Sequence, residues 1–122
     1  MVNDVKRVRK AVESTFDGVC SIFEYKTVQD ADGISRQREE EVYSRIPCKL
    51  SYELNYPLRQ TDAAAVISQR VKLFIAPEVD VKNGSKIVVE QFGKKVEYGF
   101  SGEAAVYPTH REIRLSPFVK RA

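Results

Sequence analysis

Apolar residues recur every three or four positions at the start of the chain, which is the spacing of one face of an α-helix. The residues on this face are Val2, Val5, Val8, Val12 and Phe16. We predict an N-terminal helix over residues 1–16 that ends at Asp17-Gly18, because glycine is common where helices end. The other faces carry four basic residues, Lys6, Arg7, Arg9 and Lys10. They form either a solvated face or a patch that docks on an acidic partner.

Beyond the helix the pattern shifts to short runs of β-branched and aromatic residues separated by turn sequences. The predicted strands span residues 19–28, 38–52, 68–75, 87–91, 95–101, 104–107 and 109–115. Turn signals lie at residues 30–33, 83–84 and 92–94, and Gly102 should separate two strands. Such spacing favours a small antiparallel barrel or sandwich over a βαβ fold. The prediction is a mainly β chain, a small antiparallel β-barrel of six or seven strands with an N-terminal α-helix and one long loop.

The second of these strands alternates between two faces. One face carries Val42, Ser44, Ile46, Cys48, Leu50 and Tyr52, and the other carries Tyr43, Arg45, Lys49 and Ser51. Pro47 interrupts the second face and suggests an edge or a bulge. A hairpin folded about Gly33 sets Cys20 roughly opposite Cys48, both on the apolar face. Our hypothesis is that the two cysteines lie close together as reduced, buried thiols.

One stretch, residues 52–66, fits neither a strand nor a helix. Pro57 breaks any strand, and three alanines follow without an apolar period. Loops of about 12–15 residues without regular structure are uncommon in compact domains, and are usually functional or disordered. The candidate functional loop comprises Tyr52, Glu53, Leu54, Asn55, Tyr56, Pro57, Leu58, Arg59, Gln60, Thr61, Asp62, Ala63, Ala64 and Ala65.

Composition restricts the function only broadly. The chain of 122 residues is 43% hydrophobic and 30% charged, which suits one globular domain over residues 1–122. Its formal net charge of +3 permits contact with nucleic acid but does not argue for it. No apolar run approaches the roughly 20 residues of a membrane span, and no signal-peptide core follows Met1. We therefore expect no membrane contact, and a protein that stays in the cytosol unless an assembly carries it out.

Catalytic chemistry finds little support, because none of the common hydrolase, phosphate-loop or metalloprotease motifs is present. His110 is the single histidine and shares a strand face with Glu112, but no nucleophile of distinctive context lies nearby in sequence. We expect a structural role for His110, no enzymatic activity, no metal and no cofactor. An OB-like nucleic-acid-binding module would need exposed aromatics among basic residues. Candidates are Tyr25, Tyr43 and Phe74, although each also fits a barrel core or rim.

The C-terminal half resembles a known family. Three runs follow one another in a set order: VKLFIAP from Val71, VKNGSKI from Val81, and YGFSGEAAVYPTHREI from Tyr98. This series is similar to the small head-to-tail joining proteins of tailed phages and prophages. The resemblance is to the stopper, or head-closure, proteins of the type encoded by the defective Bacillus prophage PBSX. It covers most of the chain, although the helix and the long loop match in position and length more than in residues.

The resemblance implies a structural assembly protein. Stopper proteins are small β-barrels that form a ring, expected to hold six copies, below the portal and its adaptor protein. They close the channel around packaged DNA and offer a surface to the tail protein. Carried to this chain, the channel-gating loop is residues 52–66, and further contacts with partners involve the first helix and the pair Lys120 and Arg121. The alternative within this class is a tail-completion or terminator protein. Either would lie in the bacterial cytoplasm during assembly and then in the particle.

Overall fold

Six antiparallel strands, preceded by one helix, pair in a closed ring. The computed structural model describes residues 2–55 and 68–118. The elements are α1 (Val2–Glu13), β1 (Gly18–Gln29), β2 (Ser35–Asn55), β3 (Ser68–Ile75), β4 (Lys86–Gln91), β5 (Lys94–Val106) and β6 (Arg111–Pro117). The strand order β1-β2-β3-β6-β5-β4 closes when β4 pairs with β1. The predicted mainly β barrel with an N-terminal helix is confirmed.

Aliphatic side chains fill the interior of the barrel. The largest fully buried residues are Ile22, Leu73, Ile75, Ile87 and Ile113. They occupy alternate positions on their strands, as the period of two requires, and β5 adds the half-buried Tyr98 and Phe100. Burying one such aliphatic side chain contributes about 1.5–3 kcal/mol, so this core is the main source of the fold's stability.

The two cysteines lie side by side in this core. Cys20 and Cys48 are both buried and free. The strand register pairs Gly18 with Cys48 and Cys20 with Ile46, so the thiols are diagonal neighbours rather than direct opposites. A hydrogen bond with Cys48, together with burial, raises the pKa of the Cys20 thiol. The predicted proximity is confirmed, with the register displaced by two residues.

The first helix ends earlier than its apolar spacing predicts. It stops at Glu13, where the hydroxyl of Ser14 donates to the carbonyl of Ala11 and that of Thr15 donates to the carbonyl of Val12. Such side-chain bonds to the backbone compete with continued helix. Gly18 is the first residue of β1, where a Cβ atom would lie 3.0 Å from the carbonyl oxygen of Glu90. The prediction of a helix over residues 1–16 that ends at this glycine is therefore wrong.

A β-bulge interrupts β2 near Pro47, as the proline suggested. The register with β1 shifts between Cys20 and Ile22, and Arg45 takes a positive φ of 47°. The backbone N–H of Arg45 donates to the hydroxyl of Ser21 at 3.1 Å. Because a bulge changes which residues face inward, Tyr43 packs partly buried against the core instead of lying on the polar face.

A second irregularity lies in β5. This strand continues through Gly102, and its register with β6 shifts between Phe100 and Ala104. Gly102 has a φ of +90°, which a glycine adopts readily. The prediction of two strands separated at this glycine is wrong, because the extra residues are absorbed as a bulge within one strand.

The outer halves of β1 and β2 extend beyond the barrel as a two-stranded ribbon, residues 24–40. The last pair between β1 and β4 is Phe23 with Lys86, whereas β1 and β2 remain paired out to Gln29 and Ser35. Ion pairs brace the ribbon: Lys26 with Glu40 at 2.8 Å, Arg36 with Asp30 at 2.9 Å, and Lys86 with Glu39 at 2.7 Å. The run of three glutamates at residues 39–41 is exposed, as expected of a solvated hairpin.

Candidate functional site

The candidate loop begins later than the sequence indicates. Tyr52 pairs with Val71 and Asn55 pairs with Ser68, so Tyr52, Glu53, Leu54 and Asn55 are the last residues of β2. The prediction that the loop starts at Tyr52 is wrong, because pairing with β3 continues the strand to Asn55, in phase with its alternating side chains. The other predicted gating residues, Tyr56, Pro57, Leu58, Arg59, Gln60, Thr61, Asp62, Ala63, Ala64 and Ala65, lie outside the described residues.

A tyrosine pair lies where β2 leads toward this loop. Tyr52 is half exposed and hydrogen-bonds to Tyr98 of β5. Since β3 and β6 separate β2 from β5 in the ring, the bond connects two strands that do not pair with each other. Burial, followed by the hydrogen bond with Tyr52, raises the pKa of Tyr98 to about 12. The two phenols therefore lie together near the end of β2.

We expect the phenol of Tyr98 to titrate near pH 12, about two units above an ordinary tyrosine. Because the folded-state pKa is raised, its contribution to stability is complete below pH 10 and is lost as the pH rises from about 10 to 12. The measurement is the difference in ultraviolet absorbance between the parent protein and Tyr98→Phe across this range. Tyr107→Phe serves as the matched control. A Tyr98 phenol that ionises near pH 10 would contradict the described environment.

The predicted basic contact residues divide into three groups. Lys6, Arg7 and Lys10 are exposed on α1. Arg9 is engaged within the chain: it forms a 2.9 Å ion pair with Glu13 and a second ion pair with Glu78, in the segment after β3. Arg9 therefore attaches the helix to the barrel. Lys120 and Arg121 lie outside the described residues.

His110 stands in a compact polar and aromatic cluster. Its Nε2 lies 2.8 Å from Oε2 of Glu112, and its Nδ1 lies 2.9 Å from the hydroxyl of Thr109. Its ring stacks on Tyr107 at 4.8 Å and lies 5.6 Å from Phe74. The predicted contact with Glu112 is confirmed. Both ring nitrogens have partners, and the cluster packs the β5–β6 connection against β3, as a structural role requires.

The residues that a metal site or a base-stacking surface would need do not lie together within the described part of the chain. No group of three or more potential metal ligands is found there. The three candidate base-stacking aromatics lie apart: Tyr43 packs against the core, Phe74 lies beside α1, and Tyr25 lies on the ribbon. Among the described helices, none is long and apolar enough to cross a membrane.

The sequence did not reveal an apolar groove between α1 and the outside of the barrel. This groove has a volume of about 810 Å³. Its apolar lining comes from Val8, Ala11, Val12, Phe16 and Phe74. Val8 is 52% exposed, so the apolar face of the helix is only partly covered by its own barrel. The helical spacing of valines was a signal that this face needs a cover, but the spacing cannot say what covers it.

Together these features define a small closed antiparallel barrel with a projecting ribbon and a grooved outer face. No family model and no curated protein matches the chain. Among solved structures, it is similar to protein xkdH of the phage-like element PBSX from Bacillus subtilis. The two are 13% identical, with a TM-score of 0.46 over 81% of this chain and 91% of that one. At this distance the function has to be argued from the chain's own residues.

Proposed function

We propose that this protein is a structural component of a phage-like particle, placed at the junction of head and tail. In this role, copies form a ring below the portal and its adaptor protein, close the DNA channel after packaging, and provide the attachment surface for the tail. The observation that carries the proposal is the ordered series of strand and turn residues from Val71 to Ile113, which resembles the head-closure proteins. The activity is mechanical, and no catalytic step is involved.

The architecture supports the proposal by providing a rigid base for a channel loop. Pairing of β2 with β3 continues to Asn55 and Ser68, so these two residues, which flank segment 56–67, lie about 5 Å apart. The core side chains of both strands are buried at Leu50 and Leu73. The pairing of the two strands therefore gives the proposed loop a fixed point of attachment.

The composition of the loop suits contact with DNA that must be held back and later released. Glu53 and Asp62 against Arg59 leave residues 52–66 with a formal charge of −1. A ring of such loops would not grip phosphates as a ring of lysines would. The small side chains of residues 63–65 allow several copies to approach one another near an axis. We place the remaining contacts, with the adaptor and tail proteins, on α1 and on the C-terminal basic pair.

The test is to replace residues 56–67 with Asn-Gly, a two-residue turn that keeps the pairing of Asn55 with Ser68. We expect the barrel to keep its circular dichroism and melting temperature, and the variant to join particles. DNA-filled heads that carry it should lose their DNA, because no loop remains to close the channel. Ala63→Ser, which retains the length and small size of the loop, is the matched control and should retain DNA.

The outcomes separate the candidate roles. Full retention of DNA by heads carrying the shortened loop would show that residues 56–67 are not the gate. Full retention by heads that lack the whole protein would remove the head-closure role and favour tail completion. The nucleic-acid-binding alternative predicts that the isolated protein binds DNA with a strong salt dependence, and the absence of such binding removes it.

A further inference from the structure

The tip of the ribbon carries an exposed apolar patch. Val28 is 38% exposed and Ile34 is 53% exposed. Val28 pairs with Arg36, and the backbone N–H of Asp30 donates to the carbonyl of Ile34 at 2.9 Å. That bond continues the register by two residues, so Val28 and Ile34 lie diagonally on one face of the ribbon. The other diagonal of this face is the ion pair between Arg36 and Asp30.

One carboxylate at the tip has no partner among the described residues. Asp30 is neutralised by Arg36, but Asp32 is exposed and has no hydrogen bond or ion pair within the described residues. The tip thus presents two aliphatic side chains next to one free carboxylate.

The groove beside α1 has the complementary character. Its walls are apolar at Val8, Val12 and Phe74, and its polar lining includes the basic Arg7 and Lys49. The carboxylate of Glu112 also lines the groove, where it is already engaged by His110 at 2.8 Å. Neither basic side chain forms an ion pair or hydrogen bond with the described residues. The groove therefore offers apolar area next to two free cations, where the tip offers apolar area next to one free anion.

The tip cannot fill the groove of its own chain. β2 runs continuously from Ser35, at the tip, to Lys49, at the groove. At about 3.3 Å per residue, these positions lie roughly 45 Å apart along the strand. The bulge bends this strand locally, but pairing with β1 up to Cys48 prevents the strand from folding back on itself. Any tip that occupies the groove must belong to another molecule.

We propose that the ribbon tip of one copy docks in the α1 groove of the next copy. Val28 and Ile34 then cover the exposed valines of the helix, and Asp32 approaches the basic residues of the groove. In this arrangement each copy gives its tip to one neighbour and receives the tip of another, so the contact is head-to-tail, and repetition of it generates either a closed ring or a filament. This inference deepens the proposed ring assembly and rests on it, since it names the surfaces through which copies join.

The test uses two substitutions at exposed positions. Val8→Glu places a carboxylate in the groove, and Ile34→Lys places a cation on the tip. Sedimentation velocity is measured on each purified variant, on the parent protein and on a 1:1 mixture, from micromolar to millimolar concentration. Val96→Glu, at an exposed valine on β5 that does not line the groove, is the matched control. Circular dichroism checks that all variants are folded.

The expected result has a specific pattern. The parent and Val96→Glu associate, while Val8→Glu and Ile34→Lys each associate at least tenfold more weakly. The mixture recovers complexes that contain both chains, because the intact tip of the groove variant fits the intact groove of the tip variant. Association through a groove-to-groove or a tip-to-tip contact would give no such recovery.

Three results would overturn the inference: a parent protein that is monomeric throughout, association that persists in both variants, or a mixture with no recovery. Persistent association in both variants would leave the head-closure role standing, with another surface joining the copies. Conversely, heads that lack the whole protein can retain their DNA while tip-to-groove docking holds. That result would reject the head-closure role alone.

Discussion

Replacing Ile113 with alanine should lower the free energy of unfolding by about 2–5 kcal/mol. Ile113 is fully buried, and its position on β6 pairs with Leu73 on one side and Ala104 on the other. Truncation removes apolar contacts and leaves a cavity in an interior that is shared by all six strands. The closed ring limits collapse around the cavity, so the loss should be near the upper part of this range.

Equilibrium unfolding in urea measures this effect. Ile34→Ala is the matched control, because it makes the same chemical change at a residue that is 53% exposed. Its effect on the isolated protein should stay within about 0.5 kcal/mol. Similar losses for the two isoleucines would mean that the barrel interior does not provide the stability assigned to it.

Gly102→Ala should be the most damaging substitution after Ile113→Ala, lowering the free energy of unfolding by about 1–3 kcal/mol. The φ of Gly102 is +90°, a region that residues with a Cβ atom rarely adopt. A Cβ atom there would also lie 3.0 Å from Oδ1 of Asn83, in the turn before β4. Backbone strain and crowding therefore act together in the bulge of β5.

Gly33→Ala separates these two effects. Gly33 has a similar φ of +80°, but no atom of the described residues lies within 4 Å of the place that a Cβ atom would take. Only backbone strain of about 1 kcal/mol is therefore expected there. Adding Asn83→Ala to Gly102→Ala should recover the crowding part of the loss. Urea unfolding of the three variants measures both contributions, and equal losses at the two glycines would show that Asn83 adjusts freely.

The regular parts of the fold could be predicted because their side chains follow the strand period. The boundaries of β3, Ser68–Ile75, are the same in sequence and structure, since Val71, Leu73 and Ile75 alternate with basic and aromatic residues. The bulge near Pro47 was suggested only by the proline, and the bulge at Gly102 was not predicted. At Arg45 and Gly102, one strand gains residues relative to its neighbour, and that offset depends on both strands together.

The candidate site could be predicted only in part from the sequence. Residues 52–55 continue the alternation of apolar and polar side chains, and their backbone groups pair with β3. The loop was placed too early because Pro57 and the alanines after it outweighed this short continuation of the strand pattern. The α1 groove was also missed, because the period of the valines defines a face of the helix and gives no distance between that face and the barrel.

The closed order of the strands has a consequence for the rate of folding. The ring is completed by Val19 of β1 pairing with Glu90 of β4, and by Val71 of β3 pairing with Leu115 of β6. Each pairing joins residues far apart in the chain, so the loss of chain entropy precedes the gain from contacts. The β1–β2 and β4–β5 hairpins can form locally. The pairings of β1 with β4 and of β3 with β6 form only when residues far apart in the chain meet. Folding on the scale of milliseconds to seconds is typical of such topologies, and during that interval the unpaired strand edges of a newly made chain are open to other copies.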